Sequence, residues 1–86
     1  MSYIVSAHVR EELMTCQIGE PTLRAVVEHP EQVVAAKQGI ECRQSKVVFP
    51  NGKTYVVRVM LNLDTNPPTV VTAYRTSKIT KYWQTL

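Results

Sequence analysis

Pro50-Asn51-Gly52 stands between two runs rich in β-branched residues. Glycine supplies a positive φ without strain, and Asn-Gly is a favoured hairpin turn. The flanking runs, Cys42 to Phe49 and Lys53 to Leu61, must therefore be antiparallel neighbours, and any fold must cover one face of that hairpin. In the second run Tyr55, Val57, Val59 and Leu61 share one face, while Val56, Arg58 and Met60 share the other. The turn admits two registers. A two-residue loop at Asn51-Gly52 puts Arg58 on the face of Arg43. A loop that takes in Pro50, with Gly52 as a bulge, puts it with Lys46 and Gln44.

The first third of the chain reads as two helices. Ser6 is a good N-cap, and from Ala7 to about Gln17 the residues favour helix, with Val9, Leu13 and Cys16 towards the core. Gly19 suits the left-handed residue that ends such a helix. Pro21 suits the first position of a second helix, whose stripe is Leu23, Val26 and Val27. Pro30 pushes His29 out of helical angles and stops it.

Gln32 to Ala36 reads as a strand, and Lys37-Gln38-Gly39 as a turn. Asn62 to Pro68 is a polar loop, because its paired prolines cannot sit inside a ladder. Thr69 to Thr76 is the last strand. Ser77 is positioned to cap a short final helix in which Ile79, Tyr82 and Trp83 fold back on the sheet. The expectation is one α+β domain over residues 1–86: two N-terminal helices on an antiparallel sheet of about four strands, with a short C-terminal helix.

Ten Lys and Arg stand against seven Asp and Glu, a net charge of +3 that fits a polyanionic partner. Cys16 and Cys42 are too far apart in sequence for a zinc knuckle or a redox pair. No apolar run reaches membrane-spanning length, and none follows a basic leader, so a cytoplasmic protein with reduced thiols and no membrane association is expected. No Gly-rich phosphate loop, His-x-x-x-His pair or acidic metal cluster occurs, so no metal and no cofactor are expected.

Three places could carry chemistry. His8 lies in the first turn of the first helix, at helical spacing from Glu11 and Glu12, where a carboxylate would orient its ring for proton transfer. The competing reading is an ordinary surface histidine. Arg43, Lys46, Lys53, Arg58 and Arg75 supply cations to the sheet. Arg58, between Val57 and Val59, needs an acceptor or an open groove, either a phosphate or a neighbouring glutamate. The third place is the corner Tyr74-Arg75-Thr76-Ser77-Lys78, where hydroxyls and cations meet a strand end and a helix start, an arrangement suited to an anion.

Ser6-Ala7-His8-Val9-Arg10-Glu11-Glu12-Leu13, His29-Pro30-Glu31-Gln32-Val33 and Thr72-Ala73-Tyr74-Arg75-Thr76-Ser77-Lys78-Ile79 resemble motifs of a small uncharacterised bacterial domain family, distantly related to the RelE/ParE and BrnT toxins. The resemblance spans nearly the whole chain. It implies a RelE-like fold, two helices packed on a curved antiparallel sheet. The RNA-cleaving relatives work without metal, using basic and aromatic side chains on the sheet; others poison gyrase.

Carried over, the resemblance implies a toxin-like, metal-independent endoribonuclease or a derivative of one. His8 would be base or acid, and Arg58 with Arg75 would stabilise the phosphate. Lys46 and Lys78 would bind RNA, and Tyr74 would position a base or ribose. This requires the first helix to bring His8 to the arginines' side of the sheet. The alternatives are a non-catalytic RNA- or protein-binding module and a gyrase-type protein-binding toxin. The partners implied are RNA or an antitoxin-like protein.

Overall fold

The computed structural model describes residues 1–85. The elements run β1 (Ile4–Val5), α1 (Ala7–Thr15), α2 (Glu20–Glu28), β2 (Gln32–Lys37), β3 (Ile40–Val48), β4 (Thr54–Asn62), β5 (Thr69–Thr76) and α3 (Ile79–Tyr82).

Helix α1 starts where Ser6 Oγ accepts from the Val9 amide at 3.2 Å. Its end departs from the sequence expectation. The left-handed residue is Gln17, at φ 56°, and not Gly19. The Gln17 amide donates to Met14 O at 3.1 Å and the Ile18 amide to Leu13 O at 2.8 Å, a paired closure that satisfies the last carbonyls. A left-handed glutamine costs about 1–2 kcal/mol. Closing there carries Ile18 into the core at 5 % exposure, and burial of such a side chain returns about 1.5–3 kcal/mol. Gly19, thus freed, is the extended N-cap of α2, with Pro21 in that helix's first turn. His29 caps the far end, its amide donating to Ala25 O, and Pro30 follows.

The sheet is mixed and five-stranded, in the order β1-β5-β4-β3-β2. β2 to β5 form the expected antiparallel meander. The purely antiparallel, four-stranded expectation is corrected by β1, which pairs in parallel with β5, Ile4 opposite Thr69 and Val5 opposite Val70. Two residues carry no legible period, so this strand exists only because β5 offers it a partner.

The second hairpin register holds. Gln44 lies opposite Arg58 and Val48 opposite Thr54. The loop is Pro50-Asn51-Gly52, with Gly52 at φ 81°, its amide donating to Phe49 O at 2.9 Å.

Both long helices cover one face. Val9, Leu23, Val26 and Val27 meet Val57, Val59, Leu61, Val70 and Ala73 there. On the same face Arg43 Nε donates to Glu41 Oε1 at 2.7 Å, and its Nη1 donates to Val27 O, tying α2's last turn to β3. The opposite face, open to α3 alone, carries Cys42, Gln44, Lys46, Val56, Arg58, Met60 and Tyr74. Among the described residues no helix is long and apolar enough to cross a membrane.

Candidate functional site

The hairpin register puts Arg58 at the centre of the open face, in the fourth of five strands. Its Nε donates to Gln44 Oε1 at 2.9 Å and its Nη1 to Tyr74 Oη at 2.6 Å. Both partners are its direct cross-strand neighbours. A guanidinium has five N–H donors, so the remainder are left for another acceptor. Among the described residues no carboxylate pairs with Arg58. The Arg–Glu pair that the sequence allowed on the sheet forms instead at Arg43 and Glu41, on the helical face.

Gln44 is the hub of this site. It is fully buried, and its amide is used on both sides: the oxygen accepts from Arg58, while Nε2 donates to Gln32 Oε1 at 2.8 Å and to Tyr82 O at 3.1 Å. A buried amide so engaged fixes the geometry of everything bonded to it. Gln32 in turn donates to Gln84 O at 2.7 Å and accepts from the Gln84 amide at 3.0 Å. These bonds lay the α3 segment across the open face. The Tyr82 ring then stacks on Arg58 at 4.5 Å, and the Trp83 ring on Lys46 Nζ at 4.5 Å. Tyr74 and Tyr82 meet edge to face at 6.4 Å.

Cys42 lies beside Gln44 on this face, fully buried. Burial pushes its thiol above the ordinary value, and the Arg58 charge opposes part of that rise.

The predicted site residues separate into two groups. Arg58, Lys46 and Tyr74 share the open face. Arg75 does not join them. It lies opposite Val57 and therefore on the helical face, its guanidinium packed against the edge-to-face pair of Phe49 and Tyr55, 4.4 Å from each ring, with Nη2 donating to Gln17 Oε1 at 3.4 Å. Two arginines on opposite faces of one sheet cannot clamp one phosphate.

His8 is exposed, its Nε2 3.8 Å from Glu12 Oε2. Glu12 itself accepts from Thr72 Oγ1 at 3.0 Å. With Glu12, Cys16, Ala73 and Tyr74, His8 lines a groove of about 290 Å³ between α1 and β5. Tyr74 therefore touches both the groove and Arg58.

The corner has no capped helix. Lys78, not Ser77, is the N-cap of α3 and makes no side-chain cap bond; Thr76 Oγ1 accepts from the Lys78 amide at 3.1 Å. One turn of helix is too short to build a useful dipole. Lys78 is exposed there. Neither Glu11 nor Glu12 is paired with Arg75 among the described residues.

Sequence reasoning placed Gln44 on Arg58's face in one register but gave it no role, and it assigned Tyr82 and Trp83 to packing. The usable signal for the first was the three-residue loop itself. Among the described residues no three of His, Cys, Asp and Glu gather as a metal ion would need. No protein-family model, no curated protein and no solved structure matches this chain.

Proposed function

We propose that this protein is an RNA-binding module that takes single-stranded RNA on its open face. The observation that carries the reading is Arg58, a half-buried guanidinium with unspent donors and, among the described residues, no carboxylate partner. A charge held partly out of water is costly unless an anion completes it. Guanidinium matches the geometry of a phosphate. Around Arg58 lie a second cation, Lys46, and the rings of Tyr74, Tyr82 and Trp83. Cations interleaved with aromatic faces are the means by which single strands are held without base-pair readout. The RelE-like assignment, with the curved sheet it implies, belongs to the same proposal; it rests on the sequence motifs and on the two-helix layer over the meander.

The test is fluorescence anisotropy of a labelled single-stranded RNA at several salt concentrations. Binding is expected at about 10⁻⁴ to 10⁻⁶ M, with a log–log salt slope of about −1.4 for two phosphate contacts by Arg58 and Lys46. Lys46→Ala should lower that slope by about 0.7. Absence of binding at low salt by folded protein would refute the reading.

A second reading, metal-independent cleavage, is favoured by one observation: His8 and Tyr74 line the same groove, and Tyr74 is bonded to Arg58. His8 would then move the proton and Arg58 would hold the phosphate, without Arg75. Incubation with total RNA in the presence of a chelator separates the two readings. Breakdown abolished by His8→Ala supports cleavage. Intact RNA that nevertheless binds supports the module. Growth arrest on expression, with RNA neither bound nor broken, would point instead to a protein-binding toxin of the gyrase type.

A further inference from the structure

The ladder of the sheet is broken twice, at the same end. β2 shifts register against β3 between Ala35 and Lys37. β5 shifts against β4, so that Val71 stands unpaired between Val70, opposite Leu61, and Thr72, opposite Met60. A bulge re-aims the side chains beyond it. Strict alternation would put Lys37 with Val33 and Ala35 on the helical face. The shift sets it opposite Ile40 instead, on the face of Cys42 and Gln44. Lys37 is thereby a further cation on the open face, and among the described residues it makes no ion pair.

Between the two breaks lies a groove of about 440 Å³, lined by Ala36, Lys37, Ile40, Met60, Val71 and Thr72. The inner strands supply its apolar floor, Met60 and Ile40, and the outer strands its sides. Met60 follows Arg58 on the same face of β4, about 7 Å along the strand. One nucleotide can therefore reach from a phosphate on Arg58 to a base over Met60.

We propose that this groove holds one nucleobase, a guanine, of the strand whose phosphate lies on Arg58, with Lys37 Nζ donating to its O6 and N7; this rests on the RNA-binding reading. The floor suits the flat face of a base and not a phosphate, and a thioether against an aromatic ring is a favourable contact. The Thr72 hydroxyl is already spent on Glu12, which leaves the ammonium to read the base edge, and an ammonium only donates. Guanine presents two adjacent acceptors, whereas adenine sets an amino donor beside its N7. Uracil has acceptors but a single ring, and covers less of the floor.

The test uses the whole chain and three labelled eight-nucleotide uridine RNAs, with guanosine, adenosine or no purine at the centre, read by fluorescence anisotropy. Guanosine RNA should bind about fivefold tighter than the other two. Lys37→Ala should bring it down to the adenosine value. Ala36→Leu, at an exposed position on the side of the groove, should fill the site and do the same, with circular dichroism confirming the fold of both variants. In methyl NMR the Met60 signal should shift with guanosine RNA in the wild type and stay in place in Ala36→Leu. Equal affinity for the three RNAs would overturn the proposal while leaving the RNA-binding reading intact. So would an unmoved Met60 methyl, or a Lys37→Ala variant that weakens all three RNAs alike with a shallower salt slope, the mark of a phosphate contact. Absence of any binding at low salt would overturn both.

Discussion

Replacing Arg58 by methionine removes the guanidinium but keeps an unbranched alkyl side chain of similar reach. Gln44 Oε1, fully buried, would lose its charged donor. The weak Cys42 thiol donor, 4.0 Å away, would be its one remaining partner, and under-satisfying a buried acceptor costs about 1–3 kcal/mol. Stacking on Tyr82 at 4.5 Å would go as well, worth about 0.5–2 kcal/mol. Tyr74 is half-buried, and its hydroxyl can turn to water at little cost. Against these losses, the variant no longer holds a charge partly out of solvent, a gain on the order of 1 kcal/mol. The net expectation is a destabilisation of about 1–3 kcal/mol.

Urea denaturation reads this directly. With a slope of roughly 1 kcal/mol/M for so small a chain, the midpoint should fall by about 1–3 M. Trp83, the single tryptophan, sits on Lys46 beside this network, so its emission should shift towards that of exposed indole before the sheet melts by circular dichroism. RNA affinity should fall together with the salt slope. An unchanged midpoint with unchanged Trp83 emission would refute the view that Arg58 organises Gln44, Tyr74 and Tyr82.

Two glycines separate backbone strain from crowding. Gly52, at φ 81° with nothing within 4 Å of an added Cβ, should cost only the left-handed backbone on Gly52→Ala, about 1–2 kcal/mol by thermal denaturation. Gly39, at φ 78°, would bring a Cβ to 2.3 Å from Asp64 Oδ2, so Gly39→Ala should cost more, and Asp64→Ala should recover only the excess. At Cys42 burial raises the thiol above its ordinary value of 9.0. Folding keeps that proton, so the contribution is intact below the unfolded value and declines as pH rises from there through the folded one. Denaturation across about pH 8 to 10 should show this fall in the wild type and a flatter profile in Cys42→Ala. Alkylation of native protein should label the half-exposed Cys16 and spare Cys42 until unfolding.

The elements whose signal is local were legible in the sequence. Ser6 capped its helix, Pro30 ended the second, and the alternation from Tyr55 to Leu61 identified the core face of β4. What escaped depended on partners distant in sequence. β1 has no pattern of its own and is defined by β5. Glycine is the better left-handed residue, yet α1 closes at Gln17 because Ile18 must reach the core. The site was half legible for the same reason. Alternation along β5 put Tyr74 and Arg75 on opposite faces, but the turn left two registers open, and the one in which Arg58 meets Gln44 and shares a face with Lys46 is fixed by the folded hairpin. Neither signal shows that Arg75 packs on the joined rings of Phe49 and Tyr55, or that Tyr82 crosses the sheet to reach Arg58. Those depend on side-chain reach in three dimensions.

The parallel pairing of Ile4 and Val5 with Thr69 and Val70 also sets an order of events during synthesis. The Ile4 amide is satisfied by Pro68 O at 2.8 Å, an acceptor that leaves the ribosome more than sixty residues later. Until then the opening strand has no partner in the sheet, although the helices that follow it can already form. Ile4 and Val5 are thus locked by residues made much later, and a chain halted before Thr69 would lose both β1 and β5 from the sheet at once. Closure of that side of the sheet therefore waits on the synthesis of β5.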